Sequence, residues 1–135
     1  MEKIFEIACE HLGIDTNSVN VELVFMNVVE MCELNKRTRG IDEPTDVLAF
    51  PLLDIVAGVV PTKDEFPLDI NPETNKIELG SVVICREYAE LPIDYLCVHG
   101  FLHLVGYDHD TQDNERRMFE LTDKILERYK GVGHE

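Results

Sequence analysis

A layered domain of the α/β or α+β class is predicted by three observations. Segments with apolar residues three and four apart alternate with segments in which every second residue is apolar. The chain has 135 residues, near the usual size of one domain, so residues 1–135 are expected to form a single unit. With 44% apolar and 29% charged residues, the composition is that of an ordinary globular protein. A domain of this size buries about two-thirds of its unfolded surface, so it needs no covalent staple to fold.

The elements follow in order. Ile4, Ala8 and Leu12, with Phe5 and Cys9 beside them, make a helical stripe over residues 2–12 that Gly13 closes. Val19, Val21, Leu23 and Phe25 alternate with Asn20 and Glu22, the spacing of a strand. Asn27 followed by Glu30 has the form of a capping box and opens a second helix through about Leu34. Val47 to Leu52 is a short apolar run, predicted as a buried strand. Residues 54–76 hold Pro61, Pro67 and Pro72 among many acids and predict a long loop or hairpin excursion. Ile77 to Cys85 is a further strand with Gly80 inside it. Leu96 to Val105 is apolar on nearly every side, which predicts a buried helix. A last helix runs from about Asp113 to Tyr129, with Met118, Leu121, Ile125 and Tyr129 on one face.

Composition excludes several function classes. Twelve basic against 27 acidic residues give a net charge of −15, and such a surface repels nucleic acid at long range. The local exception is Lys36, Arg37 and Arg39, although a cluster this short is ordinarily solvated surface. No stretch approaches the roughly 18 apolar residues of a membrane span. The segment MEKIFEIACEH sets acids inside its apolar pattern, unlike a signal peptide. A cytoplasmic protein with no membrane partner is expected. Cys9, Cys32, Cys85 and Cys97 include no CxxC pair and read as small buried hydrophobes rather than a disulfide framework. Cys97, two residues from His99, points away from that histidine's helix face and is a poor ligand. Repeats and low-complexity segments are absent.

The chemistry concentrates in HGFLHLVGYDH, residues 99–109. His99 and His103 are four apart, so a helix stacks their imidazoles on one face, within reach of one ion at about 2.0–2.1 Å. Gly106 permits a left-handed turn, and the reversal brings His109 back towards the first two. The spacing H-x3-H-x2-G-x2-H is the ligand frame of the metzincin proteases. A lone histidine in an apolar helix is more often a hydrogen-bonded core residue. Three at this spacing, with glycine at the reversal, point to a metal, because burying three imidazoles otherwise leaves hydrogen bonds hard to supply. Where HExxH proteases carry a glutamate as general base, this chain has Gly100, which disfavours peptide hydrolysis by that route. Three histidines leave a coordination position open, as catalytic zinc sites do. A metal there lowers the pKa of water towards about 7 and polarises a phosphoryl oxygen, which suits a phosphodiester substrate.

At every fixed position HGFLHLVGYDH resembles the signature of the YbeY endoribonucleases, bacterial rRNA maturation factors. LNKRTRGIDEPTDVLAF, residues 34–50, is similar to that family's second motif, and LGSVVIC, residues 79–85, to its third. The resemblance implies an α+β, zincin-like single domain, a mixed sheet packed with helices and carrying a metal helix plus reversal loop. It implies one Zn2+ per chain on His99, His103 and His109. It further implies single-strand endoribonuclease activity in 3′-end maturation of small-subunit rRNA and in ribosome quality control. The implied partners are single-stranded RNA, above all rRNA, the ribosome or its small subunit, and a ribosomal protein or GTPase. The family's essential arginine falls on Arg39, whose planar guanidinium can grip a phosphate bidentately. Asp108 is either an acceptor that fixes a ligand histidine's tautomer or a turn residue.

Thr38 stands where the family usually has an aromatic residue, Ala49 where it has serine or threonine, and Ser81 where it has aspartate. Only 18 residues separate Gly80 from His99, and relatives carry roughly a dozen more, worth some turns of helix. The helix before the metal helix is therefore expected to be short or missing. Attack on the phosphodiester can come from activated water or from the RNA's own 2′-hydroxyl; only the second leaves a cyclic phosphate. Two rival classes stand beside the nuclease. One is a non-catalytic, zinc-stabilised ribosome-associated module that docks through its long acidic loop. The other is a metallopeptidase that recruits Glu78 or Glu87 as base.

Overall fold

Glu2 leads into α1 (Lys3–Leu12), which buries Ile4, Phe5, Ile7, Ala8 and Cys9. Gly13, at φ 75°, ends it as expected. Its N–H donates to the Glu10 carbonyl at 3.2 Å and that of Ile14 to Cys9 at 2.8 Å, a Schellman closure. The computed structural model describes residues 1–131; the last four positions of the expected 1–135 unit lie outside the described residues.

Four strands form one mixed sheet around β4 (Lys76–Ile84). β1 (Val19–Phe25) runs parallel to it along one edge. β3 (Ile70–Asn71) and β2 (Val47–Pro51) pair antiparallel with its first and last residues. That mixture settles the class as α+β. One residue of β4 is extra to the β1 ladder, since Asn20 faces Glu78 while Val21 faces Gly80. As a result Ile77 and Leu79 before the bulge, and Val82 and Ile84 after it, all reach the main core, whereas Val83 and Cys85 join a smaller one. β2 is an edge strand in which Leu48 alone is buried, which corrects the expectation of a buried strand. Its central partner covers one side only, and past Pro51 the Leu52 N–H still donates to the Leu79 carbonyl at 3.0 Å.

α2 (Val28–Arg39) opens on the expected capping box, with Glu30 N–H on Asn27 Oδ1 at 2.8 Å and Asn27 N–H on Glu30 Oε1 at 3.1 Å. It does not stop near Leu34 but runs on to Gly40 (φ 72°). Nothing in Asn35–Arg39 breaks a helix, and cations in the last turn favour its dipole. α2 supplies Met31 to the smaller core, with Leu48, Val83 and Cys85. Residues 85–92 carry no helix, so the predicted loss before the metal helix is observed. α3 (Ile93–Leu104) lies in the main core and contacts β2, β4, α1 and α4. Phe101 stacks on Phe5 of α1 at 5.9 Å between ring centroids.

α4 (Gln112–Gly131) buries Met118, Thr122 and Ile125, while Leu121 and Tyr129 are half-buried. The buried stripe is thus turned towards Thr122, whose hydroxyl donates to the Met118 carbonyl at 2.7 Å and so enters the core without an unsatisfied polar group. The long excursion 54–76 holds one 3-10 turn, Pro67–Asp69, before the short hairpin into β4. All four cysteines are free thiols. Burial pushes Cys9 and Cys97 up to about 12, as inert buried thiols behave. No helix among the described residues is long and apolar enough to cross a membrane.

Candidate metal centre and its clefts

Helix spacing places the first two histidines. His99 and His103 stand one turn apart on α3, with Nε2 atoms 3.2 Å from each other and ring centroids 4.7 Å apart. α3 then closes as the glycine predicts: the N–H of Gly106 donates to the His103 carbonyl at 3.2 Å, and that of Tyr107 to Leu102 at 2.9 Å. Gly106 has φ 97°, and a Cβ there would run into the carbonyl oxygen of Ile55 and lie 2.8 Å from the Ala57 nitrogen. The reversal therefore requires glycine twice over, for its left-handed backbone and for the passage of the long loop against it. Beyond it the His109 ring lies 5.8 Å from that of His99 and 5.2 Å from that of His103.

One ligand atom from each ring falls within 4.8 Å of the others, and these three residues form a group able to hold a metal ion. The donor set fits zinc. Two ligands of one tetrahedral ion with bonds of about 2.0–2.1 Å sit about 3.3 Å apart, and the His99–His103 spacing is 3.2 Å. Among the described residues no carboxylate or thiolate belongs to the group, which leaves a coordination position for a substrate or solvent atom.

Electrostatics keep the His99 and His103 rings available as neutral ligands. Burial, then the proximity of His103 and His109, brings His99 down to about 4, with Asp46 opposing. Burial and His109 lower His103, against Asp108 and a backbone hydrogen bond at Tyr107. A neutral imidazole offers a lone pair, whereas a protonated one cannot bind metal. Asp108 does not bond a ligand ring: its Oδ1 accepts the His109 backbone N–H at 2.7 Å and lies 3.8 Å from that ring's Nδ1, beyond hydrogen-bond reach.

Gly100 has a packing reason as well as a chemical one. It is buried, and a Cβ there would come 2.6 Å from Val82 Cγ1, so α3 rests directly on β4. A larger residue at this position would lift the metal helix off the sheet.

The three histidines line a cleft of about 400 Å³ together with Arg39, Asp46 and the β2 backbone segment Val47–Ala49. Arg39, the arginine that the resemblance singles out, thus shares one cleft with the three histidines. One residue without an assigned role in the sequence supports it. Asn35, 2% exposed, accepts from Arg39 Nη1 through Oδ1 at 3.5 Å and donates to the Glu43 carbonyl at 2.8 Å. Asp46 is the carboxylate among the cleft's lining residues and accepts the Val47 N–H at 2.7 Å. The i, i+4 spacing of Asn35 and Arg39 is a signal in the sequence, and Asp46 stands in the 34–50 motif without a role of its own.

Glu78 and Glu87 do not reach this cleft. Glu78 accepts from Asn20 and Asn71 at 3.1 and 3.4 Å, and Glu87 lines a separate hollow beside Tyr88. Ser81 turns to Glu22 at 3.0 Å, also away from the histidines. A second hollow of about 340 Å³ opens between α3 and α4, sharing His99 and His109 with the first.

The family model described as Endoribonuclease YbeY matches residues 1–130. A relative of that name from Acetivibrio thermocellus is 35% identical over 93% of this chain and 82% of its own length. Another from Bacillus licheniformis is 36% identical over 96% of this chain and 83% of its own. A solution structure of TM1509 from Thermotoga maritima aligns with 97% of this chain and 81% of its own at 23% identity and a TM-score of 0.47.

Proposed function

The chain belongs to the Endoribonuclease YbeY family, and on that premise we propose that it is a zinc-dependent endoribonuclease that cleaves single-stranded RNA. Its place is the cytoplasm, its task the 3′-end maturation of small-subunit rRNA and ribosome quality control, and its partners rRNA and the ribosomal small subunit. The observation that carries the reading is the meeting of three histidines and Arg39 in one cleft.

His99, His103 and His109 hold the zinc in this reading. Bound there, the ion supplies a Lewis acid for a phosphoryl oxygen of the scissile linkage. Arg39 grips the same phosphate and offsets the negative charge that builds in the transition state. Asn35 fixes the guanidinium from behind, tying α2 to the loop before β2. Asp46, beside the histidines, is the carboxylate placed to orient a proton at the cleft wall.

A second reading, the non-catalytic ribosome-associated module, draws support from the exposed Val56, Val59 and Leu68 on the long loop. Cleavage assays on purified zinc-loaded protein separate the two. Single-stranded RNA is expected to be cut, with chelator stopping the reaction and zinc restoring it. His103→Ala is expected to lose both metal and cleavage. Arg39→Ala is expected to keep its metal and lose about a hundredfold or more in rate. Full RNA processing by metal-free His103→Ala would favour the module. Product ends decide the nucleophile, a cyclic phosphate marking attack by the 2′-hydroxyl.

A further inference from the structure

We propose that the hollow between α3 and α4 is a nucleobase-stacking subsite, in which Phe119 and Tyr95 receive a base of the RNA whose phosphate lies at the histidines; the proposal rests on the ribonuclease reading above. Its frame is set by helix geometry. Tyr95 precedes His99 by one turn of α3, and its ring stacks on that imidazole at 6.3 Å and 16°. From α4, Phe119 meets Tyr95 edge-on at 6.5 Å and 63°. Met118 beside it is buried at 3% exposure and anchors the turn, whereas Phe119 itself is 55% exposed and keeps a ring face open. A wall of rings therefore leads outward from the candidate metal ligands.

Position and charge select the occupant. The hollow shares His99 and His109 with the Arg39 cleft, so a chain seated in one continues into the other. Arg39 lines the first cleft and not the second, whose one lining carboxylate is that of Glu115. A carboxylate repels a phosphate and accepts the N–H groups of a base edge. The two hollows thus divide a nucleotide between them, phosphate on the Arg39 side and base on the Phe119 side. The net charge of −15 makes such a contact necessary, because backbone attraction to this surface is weak and stacking needs no phosphate.

The test uses zinc-loaded protein and single-stranded RNAs of one sequence, each with a single abasic nucleotide at successive positions. Wild type is expected to lose about tenfold in KM when the abasic nucleotide falls beside the cleaved linkage. Phe119→Ala is expected to lose about the same on intact RNA and nothing further on that abasic RNA, because the two changes remove one contact. Phe119→Trp is expected to restore KM, with zinc content unchanged in both variants. Phe119→Ala with the wild-type KM, or with undiminished sensitivity to the abasic nucleotide, overturns the subsite and leaves the nuclease standing. Wild type that cuts no single-stranded RNA overturns the nuclease and the subsite with it.

Discussion

His99 takes a proton only near pH 4, because burial and two neighbouring imidazoles oppose its charge. In the unfolded chain the same ring protonates near its ordinary value of 6.5. Between those values the unfolded state binds more protons, so the metal-free fold weakens as pH falls from 6.5 towards 4. The loss at pH 5 is on the order of 2 kcal/mol, less whatever its partial exposure screens. Thermal unfolding of metal-free protein at pH 7 and pH 5 measures it, and His99→Asn is expected to flatten the difference. His103 shifts in the same direction and adds to the effect. At this scale the sequence was most informative about the ligands, because i, i+4 spacing and a glycine reversal are local rules. Arg39 was visible through resemblance rather than chemistry. Asp46 stands in the 34–50 motif, but its place beside the histidines was not legible, because its meeting with His99 depends on how β2 lies beside α3.

Gly106 joins a helix to a turn, and its replacement tests the element it closes. Gly106→Ala forces a side chain into left-handed backbone and against the Ile55 carbonyl. A destabilisation of about 1–3 kcal/mol follows from overpacking and strain together. Because His109 lies just past the turn, zinc stoichiometry is expected to fall as well, read by metal analysis beside a denaturant melt. Helix starts and stops were largely legible: Gly13 closes α1 and the Asn27–Glu30 box opens α2. The end of α2 was misplaced by five residues, since the polar run Asn35–Arg39 carries no apolar periodicity although its propensity is helical. The apolar run Val47 to Leu52 predicts a buried strand where β2 lies at an edge, because apolar composition cannot tell an edge from a centre.

The whole molecule carries net charge −15, and few of its cations face the cleft. RNA affinity is therefore expected to change by less than about tenfold between about 50 and 200 mM salt, as befits one or two phosphate contacts. A steeper fall in a salt titration would mean a basic surface that the charge distribution does not contain. The layered class was legible from alternating periods, but strand order was not, since β1 and β4 pair across more than fifty residues of chain. The residue added to β4 between the partners of Asn20 and Val21 bears on the whole architecture. It inverts the parity of β4 midway, so that Leu79 and Val82, three positions apart, support the same wall. An odd-numbered insertion or deletion between Gly80 and Ile84 would turn Val82 out from beneath Gly100 and exchange the seats of the two cores, whereas an even-numbered one would preserve them.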